Sequence, residues 1–292
     1  MSEIESQEKA EILVEALPFI KRYSGKVVVL KVGGEMLENH KLSESLTQDL
    51  ILLKSVGLQV VLCHGGGPQV TESMRQLGKQ SCFVEGLRVT DAETIDITAM
   101  VFLGRINAHL TALINTHGAH AVGLSGVDAR LFEVECEDPK LGFVGKIRRV
   151  NTALIIGLLQ SGFLPVISPL GADAKGDLYN INADLTAGEL AAALGAEKLV
   201  ILTNVAGLYE SFGRDDTLVS ETNAEKLREM LRSKAASEGM RPKLQAILRA
   251  LEAGVPRAHM LDGRVAHALL LEIFTPQGIG TLITNEGGHA ES

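Results

Sequence analysis

The feature that most constrains this chain is a change of pattern at Val27, after which short aliphatic runs alternate with helix-length amphipathic segments. Val27-Val28-Val29-Leu30 reads as a buried strand, followed by a loop holding Gly33-Gly34 and a helix over 42–56. Val60-Val61-Leu62 is the next strand, stopped by His64-Gly65-Gly66-Gly67, with a helix from about residue 68. Further strands read at 122–124, 132–134, 143–149, 163–167, 199–203, 258–261 and 282–283, with helices over 152–159, 183–194, 223–235, 242–253 and 265–271. Such alternation predicts an α/β fold, an open and mainly parallel sheet sandwiched between helices in three αβα layers. Residues 83–89, centred on Gly86, read as a small hairpin. Thr90-Asp91-Ala92-Glu93 reads as a capping box. It opens a long helix with Ala99, Phe102, Ile106, Leu110 and Leu113 at helical spacing. Three segments are expected: a Pro18-kinked amphipathic helix within 1–25, a larger lobe over 26–195, and a smaller lobe over 196–292. The helix carries Leu13, Ala16, Leu17 and Ile20 on one face, to be covered by a neighbouring subunit or by the chain's own surface.

Composition narrows the partners. Lys plus Arg total 28 against 36 Asp plus Glu, a net charge of −8, and there is no Trp. That balance argues against nucleic acid, which needs a basic surface and stacking aromatics. The three cysteines show no CxxC spacing, and the first residues lack a basic-then-apolar signal pattern, so a cytoplasmic protein is expected. The uncharged stretch 150–172 is interrupted by two Pro and three Gly and reads as a helix and a strand, not a membrane span. No cysteine-rich metal site is expected.

In open parallel sheets ligands bind beyond the carboxyl ends of the strands, so the loops after Leu30, Leu62 and Thr203 are the candidates. Lys31 with Gly33-Gly34 joins a point charge to backbone N–H groups that an anion can approach closely. The pattern is neither of the standard nucleotide loops, and a plain turn stays open. Three glycines before Pro68 expose N–H donors at the positive end of a helix, which favours anion binding over a tight turn. His64 invites a catalytic role but is taken as structural. Arg88 sits on the hairpin, and Asn180-Ile181-Asn182-Ala183-Asp184 precedes a helix, with Asp184 readable as a simple N-cap. Lys243, in a first helical turn, faces the unfavourable end of the dipole, which suggests an anionic partner.

These segments, with Gly86-Leu87-Arg88-Val89-Thr90-Asp91, Tyr179-Asn180-Ile181-Asn182-Ala183-Asp184 and Gly239-Met240-x-Pro242-Lys243, resemble the ordered motifs of the amino-acid kinase family, and within it the N-acetylglutamate kinases. The resemblance runs from about residue 10 to 284. It implies phosphorylation of the side-chain carboxylate of N-acetyl-L-glutamate by ATP in arginine biosynthesis, with Mg²⁺ carried on the nucleotide. It further implies Lys31 and Lys243 flanking the transferred phosphoryl group, Asp184 orienting both, and backbone donors at Gly34 and Gly67. Gly66, Gly67, Arg88 and Asn180 would hold the acetylated amino acid. Thr203, Asn204, Gly207, Leu208, Tyr209 and Met240 would line the nucleotide site together with the two lysines. The chain departs from the family's pattern at Glu35, Asn204, Glu238, Arg241 and Ser125-Gly126-Val127-Asp128.

Arginine-inhibited hexameric members carry a similar N-terminal helix, so the resemblance also implies a trimer of dimers inhibited by L-arginine at Lys198, Glu272 and Gly278. Phe19 stands where such enzymes often have Tyr. A PII-type regulator is a further partner implied. The alternatives are a carrier-linked α-aminoadipate or glutamate kinase, and a catalytically inactive arginine or nitrogen sensor of the same fold.

Overall fold

The structure is a computed structural model, and it describes residues 3–118, 120–210, 217–233, 236–275 and 278–285. Its frame is one eight-stranded sheet. The strands are β1 (Val27–Val32), β2 (Gln59–His64), β3 (Ala121–Ser125), β4 (Leu164–Ser168), β5 (Lys198–Thr203), β6 (Glu221–Asn223), β7 (Arg257–Asp262) and β8 (Thr281–Thr284). Their order is β6-β8-β7-β5-β1-β2-β4-β3. Every pairing is parallel except β7 with β8, so the expectation of a mainly parallel sheet holds, and the exceptions are β8 and its neighbour β6, which run against the other six strands.

Strands buried on both faces should read as unbroken aliphatic runs, and β1 does from Val27 to Leu30, before Lys31. Val28, Val29 and Leu30 are all buried, yet successive side chains point to opposite faces. Val29, Val61, Leu199 and Ile201 therefore pack on one side, with helices Ala183–Leu194 and Arg241–Glu252. Val28, Leu30, Leu62, Val200 and Leu202 pack on the other, with helices His40–Ser55, Ala108–Asn115 and Ala268–Phe274. The chain leaves β1 for β2 on one side and later returns to β1's other edge with β5. Loops from both halves thereby meet at the carboxyl end of the sheet centre. The sheet runs unbroken past Gly195, the left-handed cap of helix Ala183–Leu194.

Local departures from the sequence reading have identifiable causes. Thr90 is not the cap of the long helix. Asp91 is, accepting from Thr94 N–H at 2.8 Å, while the Thr90 hydroxyl donates to Arg88 O and Glu93 is drawn to Lys79. The long helix is π-wound over Met100–Asn107, which an apolar stripe at helical spacing does not reveal. A second sheet, order Leu178–Asn180, Leu170–Ala172, Phe132–Cys136, Gly145–Val150, includes two three-residue strands with too little pattern to read. The hairpin forms as expected, Phe83–Val84 against Leu87–Arg88, with Glu85 and Gly86 both at positive φ (50° and 81°) in its turn.

Residues Ala92–Asn115 are long and apolar enough to cross a membrane by length and composition. Phe102, Ile106, Leu110 and Ile114 are instead buried in the protein's own core. The N-terminal helix spans Glu3–Tyr23 with Pro18 inside it. Its Ile12, Leu13 and Val14 are 64, 72 and 68% exposed, whereas Phe19 packs against the core and Tyr23 is buried.

Candidate active site

A cleft of about 520 Å³ opens where the loops after β1, β2 and β5 converge. Its centre is a carboxylate shared by two lysines. Lys31 Nζ, from β1, lies 2.8 Å from Asp184 Oδ1, and Lys243 Nζ lies 3.0 Å from Asp184 Oδ2. Lys243 also donates to Gly239 O at 3.2 Å. Asp184 is not the cap that its local sequence suggested. Asn182 caps the helix, accepting from the N–H groups of Asp184 and Leu185, and so leaves Asp184 in the first turn with its side chain free for the lysines. A negative charge there is favoured by the helix dipole. Burial pushes the Asp184 carboxyl up, but the charges of Lys31 and Lys243 outweigh burial and hold it below the ordinary carboxylate range.

The two lysines come from different parts of the chain, and helix packing brings the second one in. A Cβ at Gly188 would stand 2.6 Å from Ala246 O and 2.8 Å from Ala246 Cα, so helices Ala183–Leu194 and Arg241–Glu252 touch backbone to backbone there. That contact lies about one turn beyond Asp184 and Lys243. Close approach of the two axes is what permits the Lys243–Asp184 bond.

The glycine loops press together in the same way. A side chain at Gly34 would overlap Gln69 Oε1 and meet Gly66 Cα at 3.0 Å, and Gln69 Nε2 donates to Gly34 O at 2.7 Å. Gly65 N–H is spent on Val32 O. Gly66 caps helix Gly67–Gln76 without a side-chain bond, so no capping side chain takes the first N–H groups of that helix, and Gly65, Gly66 and Gly67 line the cleft.

Arg88 also lines the cleft and is 7% exposed. Its Nη1 donates to Ser81 Oγ (2.6 Å), its Nη2 to Gly67 O and Thr71 Oγ1 (both 2.8 Å), and its guanidinium lies 4.7 Å from the centre of the Phe83 ring. Burial lowers its pKa to about 10, which leaves it charged at neutral pH. Among the described residues no carboxylate pairs with it, so a buried cation is balanced by neutral groups alone. Asn180, also on the wall, donates to Thr90 Oγ1 at 3.4 Å.

At the cleft's other end stand Thr203 and Asn204. Two departures from the family's pattern meet here, because Asn204 Nδ2 donates to Glu35 Oε2 at 3.0 Å. An aspartate at 204 would face Glu35 as a like charge. Gly207, Leu208, Tyr209 and Met240 do not line the cleft. Leu208 is buried and donates its N–H to Thr281 Oγ1, and Met240 packs against the core. Sequence reasoning missed Met36, Phe102 and Arg264 on the wall. Phe102 lay on an apolar stripe and read as core, whereas Arg264 follows β7 and the strand-end rule points to it. Among the described residues no group of three His, Cys, Asp or Glu is arranged to hold a metal ion. The acids on the cleft wall, Glu35 and Asp184, are both paired.

Lys198, Glu272 and Gly278 come together elsewhere, at the opposite end of β5 from Thr203. Lys198 Nζ is 3.6 Å from Glu272 Oε1, and His259 Nδ1 is 2.5 Å from the same oxygen. Ile279 N–H donates to Glu272 Oε2, and Gly278 at φ 55° leaves room for that carboxylate. The ring of Tyr23, at the end of the N-terminal helix, lies 5.1 Å from Lys198 Nζ. Burial and the Lys198 charge lower the His259 pKa to about 4.

Comparison with known proteins places this fold in a family. Residues 26–262 match the amino acid kinase family, and the chain belongs to it. The acetylglutamate kinase of Nitrosococcus oceani is 47% identical over 291 residues, covering 94% of this chain and 96% of that one. That of Thermoanaerobacter pseudethanolicus is 46% identical over 280 residues, covering 95% and 94%. Within the family the chain therefore falls among the acetylglutamate kinases, phosphotransferases with a carboxyl group as acceptor. N-acetylglutamate synthase from Neisseria gonorrhoeae complexed with coenzyme A and L-arginine is similar in structure, with a TM-score of 0.80 and 26% identity over 95% of this chain. This chain spans only 65% of the synthase's length.

Proposed function

We propose that the cleft transfers the terminal phosphoryl group of ATP to the side-chain carboxylate of N-acetyl-L-glutamate, with the two substrates meeting at Lys31, Asp184 and Lys243. The observation that carries this reading is the single buried carboxylate holding two lysines beside a glycine-rich N–H wall. The acceptor carboxylate is already ionised at neutral pH, so its oxygen attacks phosphorus without a general base while the bond to ADP breaks. What remains is charge: two anions must be aligned and their equatorial oxygens neutralised. Lys31 and Lys243 supply the cations, Asp184 fixes their ammonium groups, and Gly34 and Gly67 supply backbone donors. Arg88, Asn180 and Gly66 hold the acetylated amino acid on residues 26–195. The nucleotide lies along 196–292, on Thr203 and Asn204, with Gly207, Leu208, Tyr209 and Met240 further out. Mg²⁺ would come with the nucleotide and supply further neutralisation of phosphate charge, while Glu35 and Asp184 stay engaged with Asn204 and the two lysines. The enzyme works in the cytoplasm, a reading supported by its free cysteines.

The test is ADP release together with hydroxylamine trapping of the acyl phosphate, using N-acetylglutamate, α-aminoadipate or no acceptor. Turnover is expected with N-acetylglutamate alone and should fall by about 10³ in Lys31→Ala. Unchanged turnover in that variant sinks the mechanism. Turnover with α-aminoadipate in place of N-acetylglutamate favours the carrier-linked kinase, and no turnover with either acceptor favours the inactive sensor.

The reading extends to control by L-arginine at Lys198, Glu272 and Gly278, in a hexamer of three dimers joined through the N-terminal helices. Two things support it: the buried charge cluster reached by Tyr23, and the exposed apolar face of Ile12, Leu13 and Leu17. Removing residues 1–22 should convert hexamers to dimers by light scattering and weaken arginine inhibition. A full-length protein that is already an arginine-insensitive dimer overturns it.

A further inference from the structure

His64 closes β2 and begins the glycine wall, but the mechanism above does not use it. It is fully buried. Its Nδ1 lies 2.9 Å from Gly65 O. Its Nε2 lies 2.9 Å from Ser168 Oγ and 3.2 Å from Asn107 Nδ2. Asn107 Nδ2 in turn donates to Val166 O at 2.9 Å and to Leu124 O at 3.3 Å, which fixes the amide's orientation. A carbonyl oxygen can only accept, so Nδ1 must carry the hydrogen. In the neutral ring Nε2 is then bare and accepts from the Ser168 hydroxyl.

The consequence follows from peptide geometry. In a planar trans peptide the C=O of one residue and the N–H of the next point in opposite directions. Holding Gly65 O on the His64 side therefore turns the Gly66 N–H away from it, on the segment where Gly65, Gly66 and Gly67 line the cleft. Glycine has no side chain to restrict this peptide, so some other contact must hold it.

We propose that His64 is a positioning residue, its neutral Nδ1–H ring clamping the Gly65 carbonyl so that the Gly66 N–H is presented to the acceptor, with Asn107 and Ser168 holding the ring at its Nε2 end. The π-wound segment Met100–Asn107 gains a role by this route, since it delivers Asn107 to the imidazole. Burial, only partly offset by the Gly65 bond, lowers the ring's pKa to about 4 and keeps it neutral throughout the working range. The proposal rests on the reading of the cleft as the acetylglutamate site.

Two amide substitutions separate the ring's two ends. In His64→Asn the amide nitrogen takes the place of Nδ1 and keeps the Gly65 bond. In His64→Gln it reaches the Nε2 position and loses that bond. We expect His64→Gln to lower kcat/KM for acetylglutamate by about 10- to 100-fold with KM for ATP within about twofold, and His64→Asn to stay within about threefold of wild type. Equal losses in both variants overturn the proposal. Ring-nitrogen NMR of the ¹⁵N-histidine-labelled wild-type enzyme needs no variant to fold. It should find an Nδ1–H tautomer that does not titrate between pH 5 and 8, and an Nε2–H tautomer or a charged ring overturns the assignment. A wild-type enzyme that turns over no acetylglutamate removes the functional reading itself and this role with it, an outcome distinct from either variant result.

Discussion

A guanidinium that is buried, charged and surrounded by neutral acceptors lacks the partner that usually offsets its desolvation. Arg88 is in that position on the cleft wall, and under the proposed function the anionic acceptor supplies that partner. Lysine at this position would keep the charge but could not span Ser81, Thr71 and Gly67 together. Arg88→Lys should therefore raise KM for acetylglutamate about 10- to 100-fold, with KM for ATP unchanged, as read in initial-rate kinetics. An equal rise in both constants would assign Arg88 to the fold and not to the acceptor. At this scale the sequence was informative wherever a residue stood against its local preference. Lys243 in a first turn and Lys31 beside two glycines were visible as oddities. Asp184 was not, because an acid in that position has an ordinary explanation as a cap. Only the resemblance gave it a role, and only the structure showed that Asn182 takes over the capping.

The next scale is the pair of helices Ala183–Leu194 and Arg241–Glu252, which set the distance between Asp184 and Lys243. Their contact at Gly188 and Ala246 leaves no space for a side chain. Gly188→Val should wedge them apart, costing about 1–3 kcal/mol of stability by urea unfolding and lowering kcat about tenfold or more through the displaced lysine. If activity survives the loss of stability, the contact holds the fold and not the site. Propensity reasoning sees Gly188 only as a weak helix former, because the reason for it lies on another helix. The same limit applies to β8, whose reversed direction is set by its pairing with β7 and not by its own four residues. The aliphatic runs of β1, β2 and β5 were legible because burial on both faces demands that composition locally.

For the molecule as a whole, buried histidines dominate the response to mild acid. Burial places the pKa of His64 and of His259 at about 4, below the unfolded value of roughly 6.5. Between these limits the unfolded chain binds the protons first, so stability falls as pH drops through that window. Asp49 opposes this. Burial raises it to about 6 despite its bond from His267, so there the folded state binds first. Two protons against one leave a net loss of at most about 1.4 kcal/mol per pH unit below pH 6.5, measurable by urea unfolding from pH 8 to 4.5. Stability that instead rises as pH falls would mean that the buried rings are charged in the folded protein, leaving Asp49 to act alone.

Asp184 serves Lys31 and Lys243 with its two oxygens, and that sharing has a consequence for how such a chain can vary over time. Two lysines with separate acids could be lost one at a time, each loss leaving a weakened catalyst for selection to act on. With one carboxylate between them, a single change at position 184 unseats both cations at once. Drift at that position has no intermediate stage: a descendant keeps the whole charge cluster or has none of it.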